Sequence, residues 1–129
     1  MIVVDASVVL HILADGATDP DLIEVMRQAE TLAAPHLLDL EIINALRKQR
    51  LSNRASAIRT EQALADFNAL PIERQPTHHL NARIWQLCQN LTAYDAAYVA
   101  LAENLDVPLL TRDKRMAHAP HNEAQIILV

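Results

Sequence analysis

Residues 2–4 read Ile-Val-Val, an apolar β-branched run with no polar position, and the run stops at Asp5. A strand with one wet face alternates polar and apolar side chains. A run without alternation must be covered on both sides, as in a parallel sheet flanked by helices. Similar runs recur at Val107-Pro108-Leu109-Leu110 and Ile126-Ile127-Leu128-Val129, with shorter candidates at residues 31–34 and 71–73. Between them the apolar residues follow helical spacing. Asp19-Pro20 supplies an N-cap with proline at the first helical position, opening a helix that stops near Leu32. Another helix runs from His36 to about Gln49. Ser52 is placed to cap the next, which is broken near Thr60 and ends at Asn68. A helix from Thr77 carries Leu80, Ile84, Leu87 and Leu91 on one buried stripe with Trp85 beside it, and Thr92 opens one more through Leu105. Asp15, Gly16 and Thr18 mark a turn. Strands alternating with helices predict an α/β fold with a mainly parallel central sheet and helices on both faces.

The length of 129 residues matches one domain of roughly 100–150 residues, so residues 1–129 are expected to form a single unit. No apolar stretch approaches the roughly 20 residues of a spanning helix, and no basic leader precedes Ile2; the expectation is a cytoplasmic chain away from membranes. A single glycine, Gly16, excludes phosphate-binding loops that need several. The single cysteine, Cys88, excludes an internal disulfide and cysteine-rich zinc sites, and its apolar helical setting predicts a buried structural thiol. His118 and His121 flank Pro120 in a loop without cysteine partners, and His78-His79 reads as an exposed helix start. A Ser-His-Asp assignment to Ser7, Ser52 or Ser56 lacks the glycines of a nucleophile elbow.

Four carboxylates carry the chemistry. Asp5 follows the first strand and Asp113 follows the strand ending at Leu110, so both belong to the carboxyl edge of the sheet. Glu41 lies early in its helix and borders the apolar face. Asp95 lies in the first turn of its own helix, so that all four can meet on one edge. Brought together they repel, whereas a divalent cation makes the ionised cluster favourable. An all-oxygen set points to Mg²⁺ or Mn²⁺. Each acid also has a structural reading. Asp5 is placed as a turn former or cap. Thr92-Ala93-Tyr94-Asp95 matches a capping box, and Thr111-Arg112-Asp113 could simply start a helix.

Four segments together resemble the PIN-domain ribonucleases, and among them the VapC-type toxins of toxin–antitoxin pairs. They are Ile2-Val3-Val4-Asp5-Ala6-Ser7-Val8-Val9, Leu38-Asp39-Leu40-Glu41-Ile42-Ile43-Asn44-Ala45-Leu46, Tyr94-Asp95-Ala96-Ala97-Tyr98-Val99-Ala100-Leu101-Ala102 and Pro108-Leu109-Leu110-Thr111-Arg112-Asp113. The resemblance implies a Rossmann-like fold in which Asp5, Glu41, Asp95 and Asp113 hold Mg²⁺ or Mn²⁺ and cleave RNA, leaving 5′-phosphate and 3′-hydroxyl ends. It also implies polar support from Ser7, Asn44 and Thr111, a VapB-type antitoxin and a homodimer. Many relatives place a glycine before the fourth strand; Asn104-Leu105-Asp106 stands there instead, and Asn and Asp tolerate left-handed turns.

Eleven basic against sixteen acidic residues give a net charge of −5, which drops to −1 once four ligand acids are neutralised. Arg47, Lys48, Arg50, Arg54 and Arg59 fall in a stretch without acids, and Arg112, Lys114 and Arg115 surround Asp113, which makes both groups RNA-backbone candidates. A solvated helix face explains the first group equally well. Phe67, Trp85, Tyr94 and Tyr98 are the only aromatic residues, too few for a base-stacking platform. Two rivals remain: a non-catalytic PIN-like module that binds RNA or protein, and a receiver-type phosphoacceptor using Asp5, Thr111 and Lys114. The second lacks an acceptor aspartate, since nothing acidic lies between Glu41 and Glu61.

Overall fold

A computed structural model describes residues 1–15 and 18–129, so the turn expected around Gly16 lies outside the described residues. Five strands, β1 (Ile2–Val4), β2 (Leu32–Pro35), β3 (Ile72–Gln75), β4 (Leu109–Thr111) and β5 (Ile126–Leu128), form one sheet in the order β3-β2-β1-β4-β5. Every pairing is parallel, with Val3 opposite Leu109 and Val4 opposite Leu110 at the centre. The apolar run of β1 is wholly buried, as its lack of alternation requires. The chain winds outward from β1 through β2 to β3 and then crosses back to β4 on the other side of β1. The β1/β4 junction is therefore the switch point, where doubly wound sheets open a crevice beyond the strands' carboxyl ends.

The helices are α1 (Ala6–Asp15), α2 (Pro20–Gln28), α3 (Leu37–Leu51), α4 (Ala57–Ala69), α5 (Asn81–Leu87), α6 (Ala93–Leu105) and α7 (Lys114–Ala117). Helices α1, α3 and α4 pack on one another, while α5 and α6 form a separate pair with α6 against β1, β2 and β4. Residues Ala96 to Ala102 of α6 are all buried, a helix apolar all round whose alanines let it press close to the sheet. It ends at Asp106, whose φ of 54° is the left-handed cap that the missing glycine would otherwise supply.

Several local expectations are corrected. The α2 helix ends at Gln28, so that Leu32 opens β2. Ser52 closes α3 rather than capping α4; that task falls to Ser56, whose side chain accepts the Arg59 amide. The α4 helix runs unbroken past Thr60, whose buried hydroxyl is satisfied by the carbonyls of Ser56 and Ala57 one turn earlier. The segment from Thr77 begins as a 3-10 turn over His78–Leu80, and α5 stops at Leu87, leaving Leu91 beyond it. Trp85 is 79% exposed, on the outer side of α5 and not in the core. Cys88 is half-buried against the core. Among the described residues no helix is long and apolar enough to cross a membrane.

Candidate functional site

Strand β1 carries Asp5 to the switch point, where it is 3% exposed. Its Oδ1 accepts the Val8 amide at 3.1 Å, capping α1, and the Ser7 hydroxyl at 2.6 Å. Its Oδ2 accepts the hydroxyl of Thr111, the fully buried last residue of β4, at 2.5 Å. Both hydroxyls also act as acceptors: Ser7 Oγ takes the Arg112 amide at 3.0 Å and Thr111 Oγ1 the Asp113 amide at 3.0 Å. The two polar residues thus clip the ends of β1 and β4 together around one carboxylate. Burial pushes the Asp5 carboxyl above its ordinary value, against the opposing effect of these donors.

Helix α3 buries Leu38, Ile42 and Leu46, which leaves Glu41 half-buried at the border of that face. Its Oε1 accepts the hydroxyl of Tyr98 on α6 at 2.7 Å. Burial raises the Glu41 carboxyl, and the negative charges of Asp95 and Asp5 raise it further. Asp95, three residues before Tyr98, sits in the first turn of α6. Thr92 accepts the Asp95 amide at 3.2 Å, so the helix start is capped by Thr92; among the described residues no bond returns from the Asp95 carboxylate to the Thr92 amide, and the capping box is half formed. Burial raises the Asp95 carboxyl, followed by the charges of Asp113 and then Asp5, while Arg115 works the other way. Asp113 caps α7 by accepting the Arg115 amide at 2.9 Å, and the exposed Arg115 guanidinium stands 3.4 Å from its Oδ2.

The four acids predicted from the sequence therefore share one neighbourhood, linked by mutual repulsion from Glu41 through Asp5 and Asp95 to Asp113. Among the described residues no three Asp, Glu, His or Cys side chains stand as a ready-made metal cage. The donor chemistry nevertheless suits a hard cation: all four groups are carboxylates, and three of them are hard to keep ionised without a counter-charge.

The remaining predicted residues divide. Ser7 and Thr111 are in the site. Asn44 is exposed one turn after Glu41. Arg112, Lys114 and Arg115 flank Asp113 at the acid edge. Arg47, Lys48 and Arg50 are exposed further along α3, roughly 9–14 Å beyond Glu41 at 1.5 Å per residue. Arg54 and Arg59 line a groove of about 680 Å³ between α1, α3 and α4. The site residue that sequence reasoning missed is Tyr98. Its spacing of three from Asp95 puts it on the same helix face, a signal present in the chain but masked by the apolar run around it.

The PIN domain family model matches residues 2–122. Ribonuclease VapC1 of Mycobacterium tuberculosis is 44% identical over 131 residues, covering 98% of this chain and 96% of that protein. Ribonuclease VapC9 of the same species is 40% identical over 129 residues, covering 100% and 98%. The fold is similar to that in the crystal structure of VapBC2 from Rickettsia felis bound to a DNA fragment from its promoter, with a TM-score of 0.74, 12% identity and coverage of 100% and 99%. With its switch-point acids and these relatives along its length, the chain belongs to the PIN-domain family.

Proposed function

We propose that this chain is an endoribonuclease that hydrolyses RNA phosphodiester bonds with Mg²⁺ or Mn²⁺, and that it is the toxin of a toxin–antitoxin pair. The reading is carried by four mutually repelling carboxylates at the switch point of a chain 44% identical to a protein named as a ribonuclease. Residues 1–129 act as one domain. Asp5, Glu41, Asp95 and Asp113 would hold the cation, which when bound lowers the pKa of water and polarises a phosphoryl oxygen. The protein's part is to keep the acids in place. Ser7 and Thr111 fix both oxygens of Asp5, and α7 carries Asp113 as its cap. Arg112, Lys114 and Arg115 supply positive charge where phosphates approach, with Asn44 as a further polar contact beside Glu41. Hydrolysis adds a water oxygen to phosphorus and breaks the P–O3′ bond, leaving a 5′-phosphate and a 3′-hydroxyl.

A VapB-type antitoxin, a second copy of the chain and a cytoplasmic setting complete the proposal. The structural relatives include protein pairs described as VapBC2 and as a toxin–antitoxin complex from Klebsiella pneumoniae. Purified chain incubated with RNA, with EDTA and after Mn²⁺ is restored, tests the activity. Cleavage that stops in EDTA and returns with Mn²⁺ supports it. Undiminished cleavage without metal removes the cation from the account, and RNA binding without cleavage under any condition would make the chain a non-catalytic PIN module.

A further inference from the structure

Tyr98 is 1% exposed, yet it carries a hydroxyl, and a buried phenol requires a partner. A phenylalanine would fill the same space without one. The partner is Glu41 Oε1, 2.7 Å away and 57 positions distant in the chain. This bond joins α3 to α6 at the acid edge, where Asp95 stands one helical turn before Tyr98. Glutamate is the longest of the four acids and has the most rotamer freedom to lose. Among the described residues its other oxygen, Oε2, has no hydrogen-bond partner.

We infer that Tyr98 is a positioning residue: its buried hydroxyl fixes one oxygen of Glu41 and leaves the second available to a hard divalent cation. The inference rests on the metal-dependent reading above. Helix α6 would thereby deliver both a ligand, Asp95, and the group that orients a ligand on the neighbouring helix. Groups that orient a metal ligand typically change metal affinity by about 10–100-fold when removed.

The test is Mn²⁺ binding, measured by calorimetry on the parent, Tyr98→Phe, Glu41→Gln and the double variant, with circular dichroism on each. Three carboxylates remain in Glu41→Gln, so weak binding stays measurable at millimolar Mn²⁺. Tyr98→Phe is expected to keep the parent's spectrum and bind Mn²⁺ about tenfold more weakly or worse. In the Glu41→Gln background the same change is expected to alter affinity by less than about twofold, since its effect passes through Glu41. Equal losses in both backgrounds mean that Tyr98 supports the fold generally and overturn the inference. Parent-like affinity in Tyr98→Phe overturns it too while leaving the metal reading intact, whereas a parent that binds no Mn²⁺ overturns both.

Discussion

Two of the four acids follow strands and two ride on helices, and the pairs do different work. Asp5 and Asp113, at the ends of the central strands, each accept a backbone amide, from Val8 and Arg115 respectively. Both therefore have a structural task that would account for an aspartate. Glu41 and Asp95 accept no backbone amide among the described residues, and both are half-buried with their charges disfavoured by burial and by their neighbours. Glu41 satisfies the buried Tyr98 hydroxyl with one oxygen, but the repulsion among these carboxylates is a cost to the metal-free fold. The case for a functional site therefore rests more on the helix-borne pair than on the more deeply buried Asp5.

Neutralising the helix-borne pair carries the largest expected effect. Glu41→Gln and Asp95→Asn are expected to lower RNA cleavage by more than about a hundredfold, beyond the range for groups that only support a ligand, with unchanged circular dichroism. Parent-like cleavage by either would remove that residue from the site. Next comes Asp5, where Asn and Ala separate the two tasks. Both variants should lose cleavage, but Asn remains a good cap, whereas Ala should cost about 1–2 kcal/mol in denaturant unfolding. Should Asp5→Asn cleave like the parent, Asp5 is a cap alone.

A smaller effect concerns pH. The Asp95 carboxyl is raised above 3.8, so in the metal-free parent its contribution to stability is fully present below that value and is lost as pH rises through the raised one. The groups facing it are Asp113 and Arg115 at α7, Asp5 after β1 and Glu41 on α3. Asp95→Asn cannot lose that contribution. Its melting temperature relative to the parent, measured in EDTA, should climb as pH rises above the ordinary carboxylate range. A flat or falling difference contradicts the repulsion. The smallest expected effect belongs to the remote cations. Neutralising Arg47, Lys48 and Arg50 should flatten the salt dependence of RNA binding by about 0.7 unit or less per lost contact, and an unchanged slope returns them to a solvated helix face.

The strands were legible because short unalternated runs leave few folds open, and the proximity of the four acids because the carboxyl ends of parallel strands and the starts of neighbouring helices share one edge. The order of segments carried the family. Local capping was less legible: Ser52 and Ser56 are equally good caps by type, and only the path of the chain after α3 selects Ser56. Trp85 followed the apolar stripe of α5 in sequence but lies outside it, because one residue rotates a helix by about 100° and carries the indole away from the core. The partnership of Tyr98 with Glu41 spans 57 residues, and no local pattern encodes a contact between two helices that distant.

The central claim is that the four carboxylates jointly hold one kind of hard cation. Crystals of the chain soaked in Mn²⁺ and recorded at a wavelength where manganese scatters anomalously test it directly. An anomalous peak bounded by Asp5, Glu41, Asp95 and Asp113 is expected, clearly weaker in crystals of Glu41→Gln or Asp95→Asn soaked at the same concentration. A peak elsewhere, or none at Mn²⁺ concentrations that support RNA cleavage, would contradict it.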